Sequence, residues 1–348
     1  MSKTQRNCSI DCLRLLVLFF NITIHANFLG EYFPALYFDY YNAFAQFIIC
    51  VFLAISGYFC AIAIFSGRKI FTKQLAAYLR CYLAWTFIYY VFALASFVAF
   101  GDESWSEFLM SRLVYFFIHG SYYHLWYFPA LIYSFLLAFL IYRLFARKGL
   151  IIFSFAAGLL HIIGALGMGY YFVGNHIPVF SIMYNLESFP VLSNIIMRGI
   201  PSFFAGIVVA VLLPYFMKLS DIIAITATAA MFFLLAAEIY VLLFIVGIDT
   251  SRIKIFLMQY PLAVLFLLSA LRYPMPKLER LAAAGKRSIT FVLCSHAMFI
   301  TIISIANERL LLNTDSIFVT SVTAAASVLA MLLCEKIDTR FTRMLRGI

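Results

Sequence analysis

Four polar side chains interrupt the first apolar segment of the sequence. They are Asp11, Arg14, Asn21 and His25, in a run that begins near residue 10. In a helix, Arg14 and His25 would share one face to within about 20° and lie about 16 Å apart along the axis. A guanidinium binds anions, and imidazole is the usual general base at neutral pH. The spacing indicates a polar track for catalysis, and the alternative is a polar stripe that joins neighbouring helices by hydrogen bonds.

Five further polar residues within or beside apolar segments are candidates for substrate binding. They are His124, Trp126, Arg198, Glu238 and His296. An aromatic belt at the membrane surface would explain Trp126, and an interfacial anchor would explain Arg198. Hydrogen bonding inside a helix bundle would explain the two histidines. Glu238 has no basic residue near it in sequence, so it needs a proton or a partner such as Arg198 or His296.

A basic segment between the second and third apolar runs is a candidate donor site. It contains Arg68, Lys69 and Lys73, and Arg80 follows about two turns later. Such residues bind the phosphates of a nucleotide-bearing donor, although the ordinary charge of a cytoplasmic loop explains them as well. The sequence contains no dinucleotide-binding or P-loop glycine motif. Its seven cysteines have no C-x-x-C spacing, and no metal site is predicted.

The composition places these residues in a membrane protein. The 348 residues are 65% hydrophobic and 11% charged, and the mean hydropathy is +0.99. Soluble domains are about 45–50% apolar and about 25% charged, so a soluble enzyme and a disordered chain are excluded. The apolar runs are long enough for membrane-spanning helices and too long for the strands of a β-barrel. The sequence therefore predicts an all-α, polytopic membrane protein with one domain, residues 1–348.

Loop charges give the expected topology. If both termini are cytoplasmic, the inner segments contain 19 of the 25 Lys and Arg residues, as the positive-inside rule requires. The net charge of +10 therefore reflects membrane topology, and no nucleic-acid partner is expected. Residues 106–118 are apolar but too short to cross the membrane, and they are expected to form an interfacial or re-entrant helix. About ten spanning helices are predicted, at residues 10–30, 43–65, 74–99, 122–145, 150–172, 198–217, 222–247, 253–272, 286–306 and 316–335.

Four segments resemble the signature motifs of the acyltransferase-3 family of integral-membrane acyltransferases. Arg14 and His25 are similar to the family's pair of an arginine and a histidine separated by ten residues. Residues 51–58 (VFLAISGY) resemble its FF-x-ISG-(F/Y) segment, and residues 124–127 (HLWY) also match. Residues 285–296, which begin with Gly and end with His, are similar to its G-x-x-S-x-x-x-Y-x-x-H segment. The resemblance covers nearly the whole chain and is closest to stand-alone O-acetyltransferases of surface polysaccharides.

The resemblance implies a function and a location. An acetyl or other short acyl group would pass from cytoplasmic acyl-CoA to a hydroxyl of an extracytoplasmic glycan or lipid-linked sugar, across a bacterial cytoplasmic membrane. His25 would act as the base and Arg14 would orient the donor or stabilise charge. Acyl-CoA would be a co-substrate, with no permanently bound cofactor. The alternative is a transporter on the same scaffold, for amino-acid uptake or polysaccharide export, which would be expected to contain paired broken helices or an internal repeat.

Overall fold

The chain folds as a bundle of helices. The computed structural model describes residues 8–66, 71–100, 104–185, 194–248, 255–310 and 314–348, and these ranges contain helices and no strand. The helices are α1 (Cys8–His25), α2 (Ala35–Ala45), α3 (Phe47–Phe65), α4 (Phe71–Phe100), α5 (Trp105–Val114), α6 (Tyr127–Leu166), α7 (Tyr171–Gly174), α8 (Pro178–Asn185), α9 (Ile200–Phe216), α10 (Asp221–Tyr240), α11 (Gln259–Arg272), α12 (Glu279–Leu310), α13 (Ser316–Ile337) and α14 (Arg340–Leu345). The prediction of an all-α, polytopic membrane protein is confirmed.

Eight segments within the described ranges are long and apolar enough to cross a membrane. The sequence predicted ten, and the difference arises at α6 and α11. Helix α6 has 40 residues and covers two predicted spans, whereas α11 has only 14 residues. At about 1.5 Å per residue, α11 is about 21 Å long and falls short of a hydrocarbon core of about 30 Å. The side of the membrane on which the termini lie stays a prediction from the loop charges.

Helix α6 is a hairpin of two helical halves. Ala146 interrupts it with φ 56° and ψ −160°, which is not a helical conformation. Phe135 in the first half lies 6.0 Å from Phe203, and Phe153 in the second half lies 5.0 Å from Phe204, as measured between ring centroids. Because both halves reach the same turn of α9, they must run side by side in opposite directions. This arrangement agrees with the two separate spans predicted at residues 122–145 and 150–172.

Helices α3 and α9 pack with their backbones in contact. A Cβ atom on Gly57 would lie 1.8 Å from the carbonyl oxygen of Phe203, and one on Gly206 would lie 1.9 Å from that of Ala54. These distances are far shorter than any van der Waals contact, so only glycine fits at either position. Small residues allow this close approach between helices in a membrane. The glycine of the segment at residues 51–58 therefore serves helix packing.

Helices α1 and α12 run in the same direction and bring two histidines together. Near the start of α1, a Cβ atom on Gly285 would lie 2.4 Å from the carbonyl oxygen of Asp11. Further along both helices, the rings of His25 and His296 have centroids 5.3 Å apart. Residues 285–296 thus contain both the glycine that allows the two helices to approach and the histidine that faces α1.

Arg272 connects the ends of three helices opposite to the end that holds His25. Its guanidinium donates hydrogen bonds to the carbonyl oxygens of Phe216 and Leu219, both at 2.6 Å, and to the Asp221 carboxylate at 2.8 Å. The end of α9, the turn that follows it and the start of α10 are therefore held by one side chain at the end of α11.

Replacing Arg272 with glutamine is expected to lower the free energy of unfolding by about 2 kcal/mol, because hydrogen bonds from a charged donor are lost. Thermal unfolding in detergent should show a Tm lower by a few degrees. The exposed Arg340 offers a matched control, and Arg340→Gln should leave the Tm unchanged. Equal Tm values for the two variants would mean that the Arg272 hydrogen bonds contribute nothing net.

Candidate active site

A polar cavity of about 460 Å³ lies among the helix ends that surround His25. It is formed by the end of α1, the start of α3, the segment before α6 and the segment before α9. None of the described residues that line it is acidic. Its polar lining consists of Asn21, His25, Gln46, His119, His124, Asn194 and Arg198, and its aromatic lining of Phe52, Tyr115, Tyr123, Trp126 and Tyr127.

Three histidines that are far apart in sequence meet beside this cavity. Ring centroids lie 5.3 Å apart for His25 and His296, 5.0 Å for His124 and His296, and 6.5 Å for His25 and His124. His25 is half-buried and lines the cavity together with His124, whereas His296 is fully buried behind them. The structure thus assembles three of the residues that sequence analysis proposed singly. Among the residues described, no group of three or more His, Cys, Asp or Glu is arranged to hold a metal ion.

Two of these imidazoles have their tautomers set by backbone carbonyls. Nε2 of His124 lies 3.0 Å from the carbonyl oxygen of Cys294, and Nδ1 of His296 lies 3.2 Å from that of Val292. A carbonyl oxygen only accepts hydrogen bonds, so each of these nitrogens carries a proton and donates. The other nitrogens, Nδ1 of His124 and Nε2 of His296, are buried without a partner. In the neutral ring each is an acceptor, so both side chains can accept a hydrogen bond from an O–H group.

The position of His124 depends on a tight turn and on helix α4. Gly120 has φ +74°, and a Cβ atom there would lie 2.4 Å from the backbone of Leu125, so the chain turns sharply before α6. The Tyr89 hydroxyl of α4 donates to the same Cys294 carbonyl at 2.6 Å, and its ring lies 5.4 Å from that of His124. Residues 122–126 therefore precede α6, which begins at Tyr127, and the predicted start of this helix at residue 122 was wrong.

Arg198 is buried in the cavity wall. Only 1% of the residue is exposed, so the interpretation as an interfacial anchor is wrong. Its Nη2 donates to the backbone oxygen of Gln46 at 2.6 Å and to the side-chain oxygen Oε1 at 2.8 Å. The guanidinium also lies 5.5 Å from the centroid of the Trp126 ring, a cation–π contact. Arg198 and Trp126 thus belong to one polar wall that faces His25 across the cavity.

Arg14 lies on the same helix as His25 but not in the same cavity. Its Nη1 forms an ion pair with Asp11 at 2.5 Å, and its guanidinium lies 5.9 Å from the Phe59 ring of α3. Asn21, between the two, lines the cavity and donates to the Val17 carbonyl of its own helix at 3.0 Å. The cavity therefore contains Asn21 and His25 of the predicted track, while Arg14 lies about 16 Å from His25 along the helix axis.

The basic donor-site candidates are only partly within the described ranges. Lys73 and Arg80 are exposed on the first turns of α4. Tyr78, between them, is close enough to Arg14 for electrostatic interaction. Arg68 and Lys69 lie outside the described residues. The structure thus places Arg14 near Tyr78, in the part of α4 that also carries Lys73 and Arg80.

Glu238 does not contact either of its predicted partners. Its carboxylate accepts hydrogen bonds from the Tyr170 hydroxyl at 2.8 Å and from the backbone N–H groups of Leu257 and Met258 at 2.6 and 2.9 Å. A carboxylate is stabilised at the N-terminal end of a helix by these amides and by the helix dipole. Glu238 thus fixes the start of α11 at Gln259, later than the predicted residue 253, and it does not line the cavity.

Sequence analysis missed five polar or aromatic residues of the cavity. They are Gln46, Tyr115, His119, Tyr123 and Asn194. Gln46 had a usable signal, because an amide within a long apolar run needs a partner, and here that partner is Arg198. Asn194 precedes Arg198 by four residues, which places the two on one helix face. His119 and Tyr123 gave no such signal, since both lie in an aromatic segment typical of a membrane interface.

The fold and the cavity define a multi-pass membrane protein with a histidine-lined site inside its helix bundle. A family model described as an acyltransferase domain, of the acyltransferase-3 type, matches residues 7–335. The chain therefore belongs to the acyltransferase-3 family and is a membrane acyltransferase. Searches of curated proteins and of solved structures each gave no match.

Proposed function

We propose that this protein is an O-acyltransferase of the bacterial cytoplasmic membrane. It transfers an acetyl or other short acyl group from cytoplasmic acyl-CoA to a hydroxyl of an extracytoplasmic glycan or lipid-linked sugar. The observation that carries the proposal is the position of His25 in a polar cavity, next to the buried acceptor nitrogens of His124 and His296. Such a cavity suits a ligand rich in hydroxyl groups, because these groups donate hydrogen bonds to bare imidazole nitrogens.

His25 acts as the general base for the acceptor hydroxyl. The O–H bond of the acceptor breaks as its proton moves to His25, and the oxygen forms a bond with the carbonyl carbon of the thioester. The carbon–sulfur bond then breaks, and the departing coenzyme thiolate takes up the proton from His25. The products are an ester and a free thiol, and the base returns to its neutral form.

The donor enters from the opposite end of the helix bundle. Arg14, Lys73 and Arg80 supply positive charge there for the phosphates of the coenzyme. Arg68 and Lys69, which precede Lys73 in sequence, belong to the same donor-site prediction. The acyl end of the donor must then cover the distance of about 16 Å between the levels of Arg14 and His25. Because the two residues are this far apart, Arg14 binds the donor and His25 acts on the reacting groups.

Arg14→Gln is expected to raise the KM for acyl-CoA by about 10-fold or more and to leave the KM for the acceptor unchanged, because the lost charge lies at the donor end. Initial rates of acyl transfer at varied donor and acceptor concentrations measure both. The double variant Asp11→Asn/Arg14→Gln separates this role from a structural one, because it also removes the carboxylate that Arg14 pairs with. Restored activity in the double variant would contradict a role in donor binding.

The direct test of the function uses the purified full chain in sealed vesicles. Radiolabelled acetyl-CoA is supplied on one side, and a membrane-glycan extract on the other. Label that appears in the glycan as a base-labile ester supports the proposal. If no label is transferred but the vesicles exchange serine or sugar by counterflow, the proposed function is wrong and the protein is a transporter.

A further inference from the structure

The cavity wall contains a buried positive charge that has no counter-ion among the described residues. Arg198 is 1% exposed, and no carboxylate in the described part of the chain forms an ion pair with it. Its polar neighbours are Gln46, Cys50 and His161. Arginine keeps its charge at any physiological pH, so this charge is not removed by loss of a proton. Burying an unpaired ion is costly, and such a charge inside a membrane protein marks a functional site.

The hydrogen-bonding capacity of Arg198 is also incomplete. Nη2 makes both contacts with Gln46, whereas Nε is buried without a partner. Two acceptors line the same cavity without partners, namely Nδ1 of His124 and Oδ1 of Asn194. All three residues are at least nine-tenths buried. Three residues of the cavity wall thus carry one cationic donor and two neutral acceptors that have no hydrogen-bond partner.

This combination defines the chemistry of the ligand. The cationic donor selects an anionic group, which is strongly attracted at low dielectric inside the bundle. The two acceptors select hydroxyl groups, which donate hydrogen bonds. A neutral sugar would satisfy the acceptors and leave Arg198 without a counter-ion. A carboxylate or phosphate attached to a sugar would satisfy both.

We propose that the acceptor is an anionic sugar, whose carboxylate or phosphate lies against Arg198 while its hydroxyl groups face His124 and His25. The proposal rests on the function inferred above and narrows its substrate class. A carboxylate would come from an acidic sugar such as a uronic acid, and a phosphate from a sugar phosphate or a lipid-linked sugar. Both anions satisfy the guanidinium in the same way, so direct measurement must separate them.

The test measures binding to the purified full chain without acyl-CoA. The probes are methyl glucuronide, glucose 1-phosphate and the neutral methyl glucoside, titrated by isothermal calorimetry. We expect at least one anionic probe to bind about 10- to 100-fold more tightly than the neutral one, the value of a hydrogen bond to a charged group. The anionic probe that binds more tightly identifies the source of the anion.

Two variants assign the preference to Arg198. Arg198→Gln removes the charge, and Gln46→Glu places a carboxylate where Oε1 now lies 2.8 Å from the guanidinium. Both should lose the preference for the anionic probe, so that the anionic and neutral probes bind with equal affinity. The second variant keeps Arg198 and the side-chain length at residue 46, so it tests the charge even if Arg198→Gln unfolds. His176→Gln, at an exposed position away from the cavity, should retain the preference.

Equal or undetectable binding of all three probes would overturn the proposal, as would a preference that survives in Gln46→Glu. Because the assay contains no acyl donor, its result is independent of the transfer assay. An anion preference without acyl transfer would leave the anionic ligand established and the acyltransferase function wrong. Equal acyl transfer to neutral and anionic sugars would support the acyltransferase function and contradict the proposal of an anionic acceptor.

Discussion

Replacing His25 with alanine is expected to lower the rate of acyl transfer by about 10²–10⁴-fold, the contribution of a positioned general base. The loss should appear in kcat, because His25 abstracts the proton and Arg198 and His124 continue to bind the acceptor. Initial rates with radiolabelled acetyl-CoA and saturating acceptor measure this effect. Binding of the sugar probes, measured separately, should change little.

Two further histidine variants make this result specific. His176 is exposed and does not line the cavity, and His176→Gln should retain full activity. His124→Gln removes a second imidazole of the three that line the cavity, and a weaker acceptor interaction, seen mainly as a higher KM, is expected. If His124→Gln abolishes transfer while His25→Ala remains active, the base has been assigned to the wrong imidazole.

Gly57→Ala is expected to destabilise the folded protein by about 3 kcal/mol, because the new methyl group would lie 1.8 Å from the Phe203 carbonyl oxygen. Helices α3 and α9 must separate to accommodate it, and the contact between Gln46 and Arg198 at the end of this helix pair would weaken. A lower Tm in detergent, a smaller yield of monodisperse protein and reduced acyl transfer should appear together.

Gly158→Ala is the matched control for this substitution. Gly158 also lies inside a long apolar helix, but a Cβ atom there would be 3.6 Å from the nearest atom of Tyr260, an ordinary contact. Alanine has the higher helix propensity by about 1 kcal/mol, so Gly158→Ala should be neutral or stabilising. Equal behaviour of the two variants would mean that α3 and α9 do not pack as closely as described.

The effects expected for His25→Ala and Gly57→Ala depend on two features, of which only the first could be predicted from the sequence. His25 was predicted as a functional residue because an ionisable side chain in an apolar run is rare, and this signal is local in the sequence. The close packing of Gly57 against α9 could not be predicted in this way. A glycine in an apolar helix is compatible with close packing, a kink or no role, and only the neighbouring helix distinguishes these cases.

Hydropathy and loop charges predicted the fold class and most of the helices. Long apolar runs can satisfy their backbone hydrogen bonds in a membrane only as helices, so hydropathy alone predicts an all-α bundle. Ten runs were predicted, and each of them contains helix within the described residues. Helix ends were less predictable, because the carboxylate of Glu238 and the turn at Gly120 decide where α11 and α6 begin.

Which residues share a site could be seen only in the tertiary structure. His25, His124 and His296 are separated by about 100 or more residues, and the packing of α1 beside α12 and of residue 124 against Cys294 brings their rings together. The structure also shows that Arg14 does not line the cavity and that Arg198 does. The physical reason is that helical periodicity fixes the face on which a side chain lies, whereas the partner of that face depends on helices distant in sequence.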